Sequence, residues 1–216
     1  MAMNAEKLAA GKRRMLEEHL RDRGIRHEGV LEAFARTPRH RFVPPEALAQ
    51  AYADHPVSIG HGQTISQPYI VALMLQELDP APSDRVLEIG AGSGYQTALL
   101  GRLVRWVYAV ECIGALAEGA EAVLGDLGVP NVTLAVRDGS AGWPEHAPFD
   151  RIICGAAAPD LPEPWVEQLA DGGRIVVPVG GRFTQRLLVY DKQHGQTSSR
   201  EVCGVRFVKL VGRHGW

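Results

Sequence analysis

The sequence predicts an α/β fold: a doubly wound, mostly parallel sheet with helices ahead of it and a β-hairpin after it. Three observations carry this. The apolar run Arg85-Val86-Leu87-Glu88-Ile89 breaks into three alternating glycines, Gly90, Gly92 and Gly94, and helix-forming residues resume at Tyr95, which reads as strand, tight loop and helix start. From Arg85 onward, short apolar runs alternate with helical stretches, the arrangement of a parallel sheet covered on both faces. Last, Arg186 to Tyr190 and Val202 to Val208 are β-prone runs separated by polar Asp191 to Arg200, which predicts a long hairpin appended to the sheet.

Along the chain, Leu8, Met15, Leu16 and Leu20 recur at helical spacing and predict an amphipathic helix closing near Gly24. A second helix over Glu28 to Ala35 is ended by Thr37-Pro38, because the residue before a proline is pushed out of the α region. Arg39 to Pro44 reads as extended, and Pro45 as the first residue of a helix through Tyr52. Asp54 to Pro68 reads as a structured loop. Ser66 stands where an N-cap would for a helix over Pro68 to Leu78, whose Ile70, Val71, Met74, Leu75 and Leu78 share a face. Strands are expected at Val86 to Ile89, Trp106 to Val110, Val132 to Val136, Arg151 to Cys154 and Arg174 to Val179, with helices over about Tyr95 to Leu103 and Gly114 to Leu127. The chain thus divides, within one domain, into helices and loop (1–80), a core (81–181) and a hairpin (182–216).

With 216 residues, 45% of them hydrophobic, the chain can bury one sizeable core. Basic residues number 23 against 25 acidic ones, a net charge of −2. The one short basic group, Lys12-Arg13-Arg14, does not make a nucleic-acid surface. Cys112, Cys154 and Cys203 are odd in number, far apart and without close-spaced histidines, which indicates neither a disulfide framework nor a metal site. Met1 to Leu20 is charged throughout, and no run approaches the about eighteen apolar residues of a membrane span. A cytoplasmic protein with no membrane partner is expected.

The glycine loop carries the first chemical signal. Alternating glycines let the backbone enter φ > 0 and bring peptide N–H groups against a ligand. A dinucleotide fingerprint would place Gly or Ala sixth, where Tyr95 stands, so the G-x-G-x-G spacing favours S-adenosylmethionine over NAD in a Rossmann-like sheet. Glu111 ends the next strand about twenty residues on, placed to accept both ribose hydroxyls rather than to be a solvated strand-end carboxylate. Asp138, before Gly139, reads either as a contact to the adenine or as an Asp-Gly turn. These residues fall near the carboxyl ends of strands, where ligands of such sheets bind.

Three segments, Arg41-Phe42-Val43-Pro44, Gly60-His61-Gly62-Gln63-Thr64-Ile65-Ser66-Gln67-Pro68 and Val86 to Gln96, closely resemble the protein-L-isoaspartate O-methyltransferases. The likeness continues through Gly142-Trp143-Pro144, Ala156-Ala157-Ala158-Pro159, Val177-Pro178-Val179-Gly180 and Val205-Arg206-Phe207-Val208. It implies S-adenosylmethionine-dependent methylation of the free α-carboxylate of L-isoaspartyl residues in damaged proteins and peptides, with S-adenosylhomocysteine as product. The ester re-forms a succinimide, which initiates repair. By the same resemblance Ser66 is the active-site serine and borders the substrate. The cofactor lies against Gln63, Thr64, Ile65, Ser66, Glu88, Gly90, Gly92, Gly94, Glu111, Asp138 and Gly139, and Arg206 and Phe207 border the peptide. One departure is Lys209, where the family usually has proline; the change frees a φ angle and adds a backbone donor.

The residue types suit that chemistry. A free carboxyl group, with a reference pKa of about 3.5 to 4, is ionised at neutral pH and needs no general base. Ser66 would orient it through its hydroxyl, and His61 then reads as a hydrogen-bonded loop residue rather than a base. The alternatives are a methyltransferase of the same fold acting on a small molecule or RNA, and a non-catalytic binder of the cofactor. A monomer is expected.

Overall fold

In the computed structural model residues 5–216 are described, so the first four residues of the Met1 to Leu20 stretch lie outside them. α1 (Ala5–Arg14) continues as a π-helical turn, Met15–Arg21, and α2 spans Glu28–Arg36. Arg39–Phe42 is a 3₁₀ turn, not the extended segment expected, and the helix starting at Pro45 is also 3₁₀ and stops at Gln50. The first correction has a tertiary cause. The Arg39 side chain is fully buried, and its Nε donates to the Ala51 carbonyl at 2.8 Å while Nη2 donates to the Ser66 carbonyl at 2.7 Å.

The loop from Asp54 to Pro68 is a small antiparallel hairpin of β1 (Val57–Gly60) and β2 (Gln63–Ile65), turned through positive φ at Gly60, His61 and Gly62. His61 is exposed at its tip, and among the described residues its side chain makes no hydrogen bond, unlike the expectation. α3 (Pro68–Leu78) has Gln67 at its N-cap and no side-chain cap of its own, so Ser66 is not the cap. Asp54 takes that role from a distance. Its Oδ1 accepts the Tyr69 N–H at 3.3 Å and its Oδ2 accepts the Gln67 amide at 2.8 Å and pairs with Arg23. A carboxylate suits a helix N-terminus, and the Ser66 hydroxyl is left without an intramolecular bond among the described residues.

The main sheet comprises β3 (Arg85–Ile89), β4 (Trp106–Glu111), β5 (Val132–Val136), β6 (Phe149–Cys154), β7 (Leu169–Gly180), β8 (Gln185–Gln193) and β9 (Gln196–Val205), ordered β5-β4-β3-β6-β7-β8-β9. Pairs from β5 to β7 are parallel and the last two are antiparallel. α4 (Tyr95–Leu100), α5 (Gly114–Asp126) and α6 (Glu163–Gln168) cover it. α6 has no counterpart in the sequence reading, being too short for helical periodicity to register.

Neighbouring residues on the central strands enter different cores. Val86, Ile153 and Val176 belong to one, with α2, α3 and α4; Leu87, Ile152 and Val177 belong to the other, with Trp165 of α6. Two buried faces explain why β3 and β6 read as continuous apolar runs. The terminal hairpin differs from expectation in register. The polar stretch is not a long loop, because Lys192 pairs with Thr197 and Gln193 with Gln196 around a two-residue turn, His194-Gly195, with φ of 51° and 75°. Strand pairing satisfies the backbone there while from Gln193 to Arg200 both faces stay in water, so no apolar alternation marks it. β9 stops at Val205, and Val208 instead accepts the Ala157 N–H at 2.7 Å.

Removing the cap tests the correction. Asp54→Ala is expected to lower stability by about 1 to 3 kcal/mol, the cost of orphaning the Tyr69 N–H and the Gln67 amide. Ser66→Ala should change it by less than about 0.5 kcal/mol, as for a residue outside such features. Urea unfolding of both variants measures this, and a larger loss for Ser66→Ala would reinstate serine as the cap.

Candidate active site

β3 delivers the glycine loop to the carboxyl edge of the sheet, and β4 holds it there. Gly90, Gly92 and Gly94 have φ of 80°, 55° and 82°, the left-handed region that a Cβ disfavours. The Gly90 and Ala91 N–H groups both donate to the Val110 carbonyl, at 2.8 and 3.1 Å. The Gly92 N–H donates to Glu111 Oε2 at 2.8 Å, and Glu111 Oε1 accepts the Ile113 N–H at 3.0 Å. Glu111 therefore latches the loop it was expected to face.

Three cavities meet at this edge. A cleft of about 520 Å³ is lined by Thr64, Ser66, Gln67, the loop at Phe183 and Thr184, and the end of β9 through Arg206 to Val208. Two smaller cavities, of about 70 and 50 Å³, lie against the glycine loop. The first is bounded by Gln63, Glu111, Gly139 and the tail Val208 to Val211, the second by Ile65, Ser66, Tyr95 and Gln96. Thr64 and Gly155 line all three. The short β1–β2 hairpin is thus the wall between the large cleft and the glycine loop.

Most residues singled out in the sequence come together here: Gln63, Thr64, Ile65, Ser66, Gly90, Gly92, Glu111 and Gly139 around the loop, with Arg206 and Phe207 across the cleft. Three stand apart. Gly94 faces α5, where an added Cβ would lie 3.0 Å from the Ala120 methyl. Asp138 Oδ1 accepts the Ser140 N–H and hydroxyl, at 2.9 and 2.6 Å, and its Oδ2 accepts the Arg213 N–H at 2.8 Å. Burial opposes ionisation of Asp138, but those donors outweigh it and hold the carboxyl below the ordinary carboxylate range. Glu88 lies wholly buried under the loop, and neither of its oxygens has a hydrogen-bond partner. Desolvation pushes its carboxyl up to about 7, helped by the charge of Glu111, while nearby Thr97 and Gln96 oppose the rise without completing a bond.

Sequence reasoning missed Gly155, which ends β6 as Gly90 ends β3; its place at a strand end was the available signal. It assigned Val208 and Lys209 to the tail motif alone and missed that Val208 to Val211 line the glycine-loop cavity, since no local pattern brings them there. Leu210 donates its N–H to the Ala157 carbonyl at 2.8 Å, and the Lys209 ammonium lies 4.7 Å over the Trp216 ring.

The profile of the protein-L-isoaspartate(D-aspartate) O-methyltransferase family matches residues 10–215. The chain belongs to that family. A protein-L-isoaspartate O-methyltransferase of Methanoregula boonei is 51% identical over 205 residues, covering 95% of this chain and 94% of the relative. One from Roseiflexus castenholzii is 52% identical over 204 residues, 94% of each. Among solved structures, a protein-L-isoaspartate O-methyltransferase superposes with a TM-score of 0.86 at 28% identity, over 94% of this chain and 67% of the other. A putative family member from Plasmodium falciparum, in complex with S-adenosyl-L-homocysteine, gives 0.80 at 28% identity, over 91% and 96%.

Glu88 makes stability depend on pH in a set direction. Its folded pKa, about 7, lies above the ordinary 4.5, so the folded state retains the proton longer than the unfolded chain does. Its contribution is fully present below about pH 4.5 and is lost as pH rises through about 7, a fall on the order of 3 kcal/mol. Melting curves at pH 5 and 8 should show this loss in the parent protein, and Glu88→Gln should abolish that share of it. Equal pH slopes in the two proteins would mean that Glu88 is ionised throughout.

Proposed function

We propose that the large cleft receives the isoaspartyl residue and the glycine-loop side receives S-adenosylmethionine, with the Gln63 to Ser66 segment as the wall between them. The reaction is S-adenosylmethionine-dependent methyl esterification of the free α-carboxylate of L-isoaspartyl residues, the step that initiates protein repair. The observation that carries the residue assignment is that Thr64 borders all three cavities while its neighbour Ser66 borders both the cleft and the loop. The residues fit a nucleoside cofactor: Glu111 Oε2 accepts one N–H and keeps a lone pair for a ribose hydroxyl, and Gly90 and Gly92 leave no Cβ over the cavity.

S-adenosylmethionine supplies, when bound, a methyl group on a sulfonium centre. The chain's task is alignment. The acceptor carboxylate is ionised at neutral pH, so Ser66 donates its hydroxyl to orient it, and no residue has to remove a proton. A cleft that excludes water favours a reaction in which opposite charges cancel. Arg206 and Phe207 on the far side hold the peptide. Phe207 is fixed by Gln185, whose Oε1 accepts its N–H at 2.6 Å and whose Nε2 donates to its carbonyl at 3.3 Å. The chain acts as a monomer in the cytoplasm, without nucleic acid or membrane, in the same reading. In support stand the near-balanced charge, with 23 basic against 25 acidic residues, and three free cysteines.

Glu111→Ala is expected to weaken S-adenosylhomocysteine binding about ten- to a hundredfold, as for the loss of charged hydrogen bonds of about 1.5 to 3 kcal/mol. Calorimetric titration reads this; unchanged affinity in a folded variant would take Glu111 out of the site. The function itself is tested with labelled cofactor and two peptides that differ only in carrying isoaspartyl or aspartyl. Only the isoaspartyl peptide should be methylated, and Ser66→Ala should lower that rate about ten- to a thousandfold with cofactor affinity little changed. The residual activity should keep the same pH profile above about pH 6, since no base has been removed. Parental activity in folded, cofactor-bound Ser66→Ala would end the assignment of Ser66.

A further inference from the structure

Beneath the wall that carries Ser66 lies a cation the reaction does not use directly. Arg39 is wholly buried, and two of its nitrogens bond to carbonyls, Nε to Ala51 and Nη2 to Ser66. Its guanidinium stacks 4.8 Å from the centre of the Tyr95 ring, in the first turn of the helix that follows the glycine loop. Nη1 is buried and completes no hydrogen bond, the Tyr95 hydroxyl and the Asp54 carboxylate act on the group only electrostatically, and among the described residues no carboxylate forms an ion pair with it. A buried, unpaired charge is destabilising, and a neutral donor would satisfy the same carbonyls. Fold maintenance alone is therefore a poor account of it.

The placement supplies a better one. Among the described residues no other hydrogen bond reaches Ser66, through its N–H, its carbonyl or its hydroxyl. The Arg39 guanidinium is rigid and planar, and it reaches the Ser66 peptide and the Tyr95 ring at once. We propose that Arg39 is a positioning residue for methyl transfer, fixing the Ser66 peptide so that the Ser66 hydroxyl points into the cleft in register with the glycine loop. This rests on the reading that the hydroxyl orients the acceptor carboxylate. A lysine retains the charge but offers its donors from a single nitrogen on a flexible stem in place of a planar fork, so the peptide plane loosens. A displacement of about 1 Å at an orienting group can lower a rate about a hundredfold.

The test is a double-mutant cycle of Ser66→Ala, Arg39→Lys and the combined variant, with kcat and KM for an isoaspartyl peptide. Calorimetric binding of S-adenosylhomocysteine and melting temperatures serve as controls. Arg39→Lys should lower kcat about ten- to a hundredfold, with KM and S-adenosylhomocysteine affinity shifted by less than about threefold, and in the Ser66→Ala background its effect on kcat should shrink to less than about threefold. A merely structural role would lower both backgrounds alike. If Arg39→Lys does not fold at the assay temperature, Arg39→Gln, which keeps an amide donor and buries no charge, takes its place in the same cycle. Parental kcat in the Arg39 variant, or equal losses in both backgrounds, overturns the proposal while leaving the role of Ser66 intact. Parental kcat in Ser66→Ala alone overturns the role of Ser66 and this proposal with it.

Discussion

The glycine loop has a defined shape because the neighbouring strand takes its peptide groups. Gly90 and Ala91 share the Val110 carbonyl, and Gly92 is held by the Glu111 carboxylate. From the other side the Gly155 N–H donates to the Ile89 carbonyl at 2.8 Å. Three parallel strands thus converge on four residues, and the protein's own hydrogen bonds define the loop's shape. The hairpin wall, the tail and α4 are all placed relative to that fixed point.

How much of this was legible in the sequence depends on whether the cause was local. The glycine loop, the central strands and α2, α3 and α5 carry their own signals, in conformational preference or in apolar periodicity. The cap of α3 does not, because Asp54 lies fifteen residues before the N–H that it accepts. Ser66 matched the local pattern of a cap, and the remote carboxylate won. The turn at Arg39 was lost for the same reason, its geometry being set by carbonyls at Ala51 and Ser66. Within the site, Gln63 to Ser66, the loop glycines and Glu111 stood out by motif, while Gly155 and the tail arrive through tertiary pairing alone. In the terminal hairpin the strands were legible at their apolar ends, but their continuation through Asp191 to Arg200 was not, because two solvated faces leave no alternation to read.

Unsatisfied polar groups gather in one place. Apart from a ring nitrogen of His19, every buried side-chain nitrogen or oxygen without a partner among the described residues belongs to Arg39, Glu88, Tyr95 or Thr97. Tyr95 and Thr97 lie on α4, Arg39 stacks on Tyr95, and Glu88 is on the strand that leads into the loop. They face one another, Glu88 beside Thr97 and Arg39 beside Tyr95, and polar groups buried without complete hydrogen bonds disfavour folding. Their concentration under the glycine loop fits the rule that local costs persist where a site needs polar groups held in place. Elsewhere the two cores are apolar and interdigitated, and their burial offsets that cost.

The β1–β2 hairpin is a partition with a cavity on each side, since Thr64 borders the large cleft as well as both cavities at the loop. Two molecules that meet a common partition bind independently only if neither changes its order. Whatever free energy one gains from the order that the other imposes on this short hairpin, the second gains in equal amount from the first, as linkage requires. The hairpin is small and turned through three successive residues with positive φ, so little besides its contacts with the body of the protein restrains it. On the proposed placement of the two ligands, any coupling between donor and acceptor would pass through this partition, with no second conformation of the sheet required.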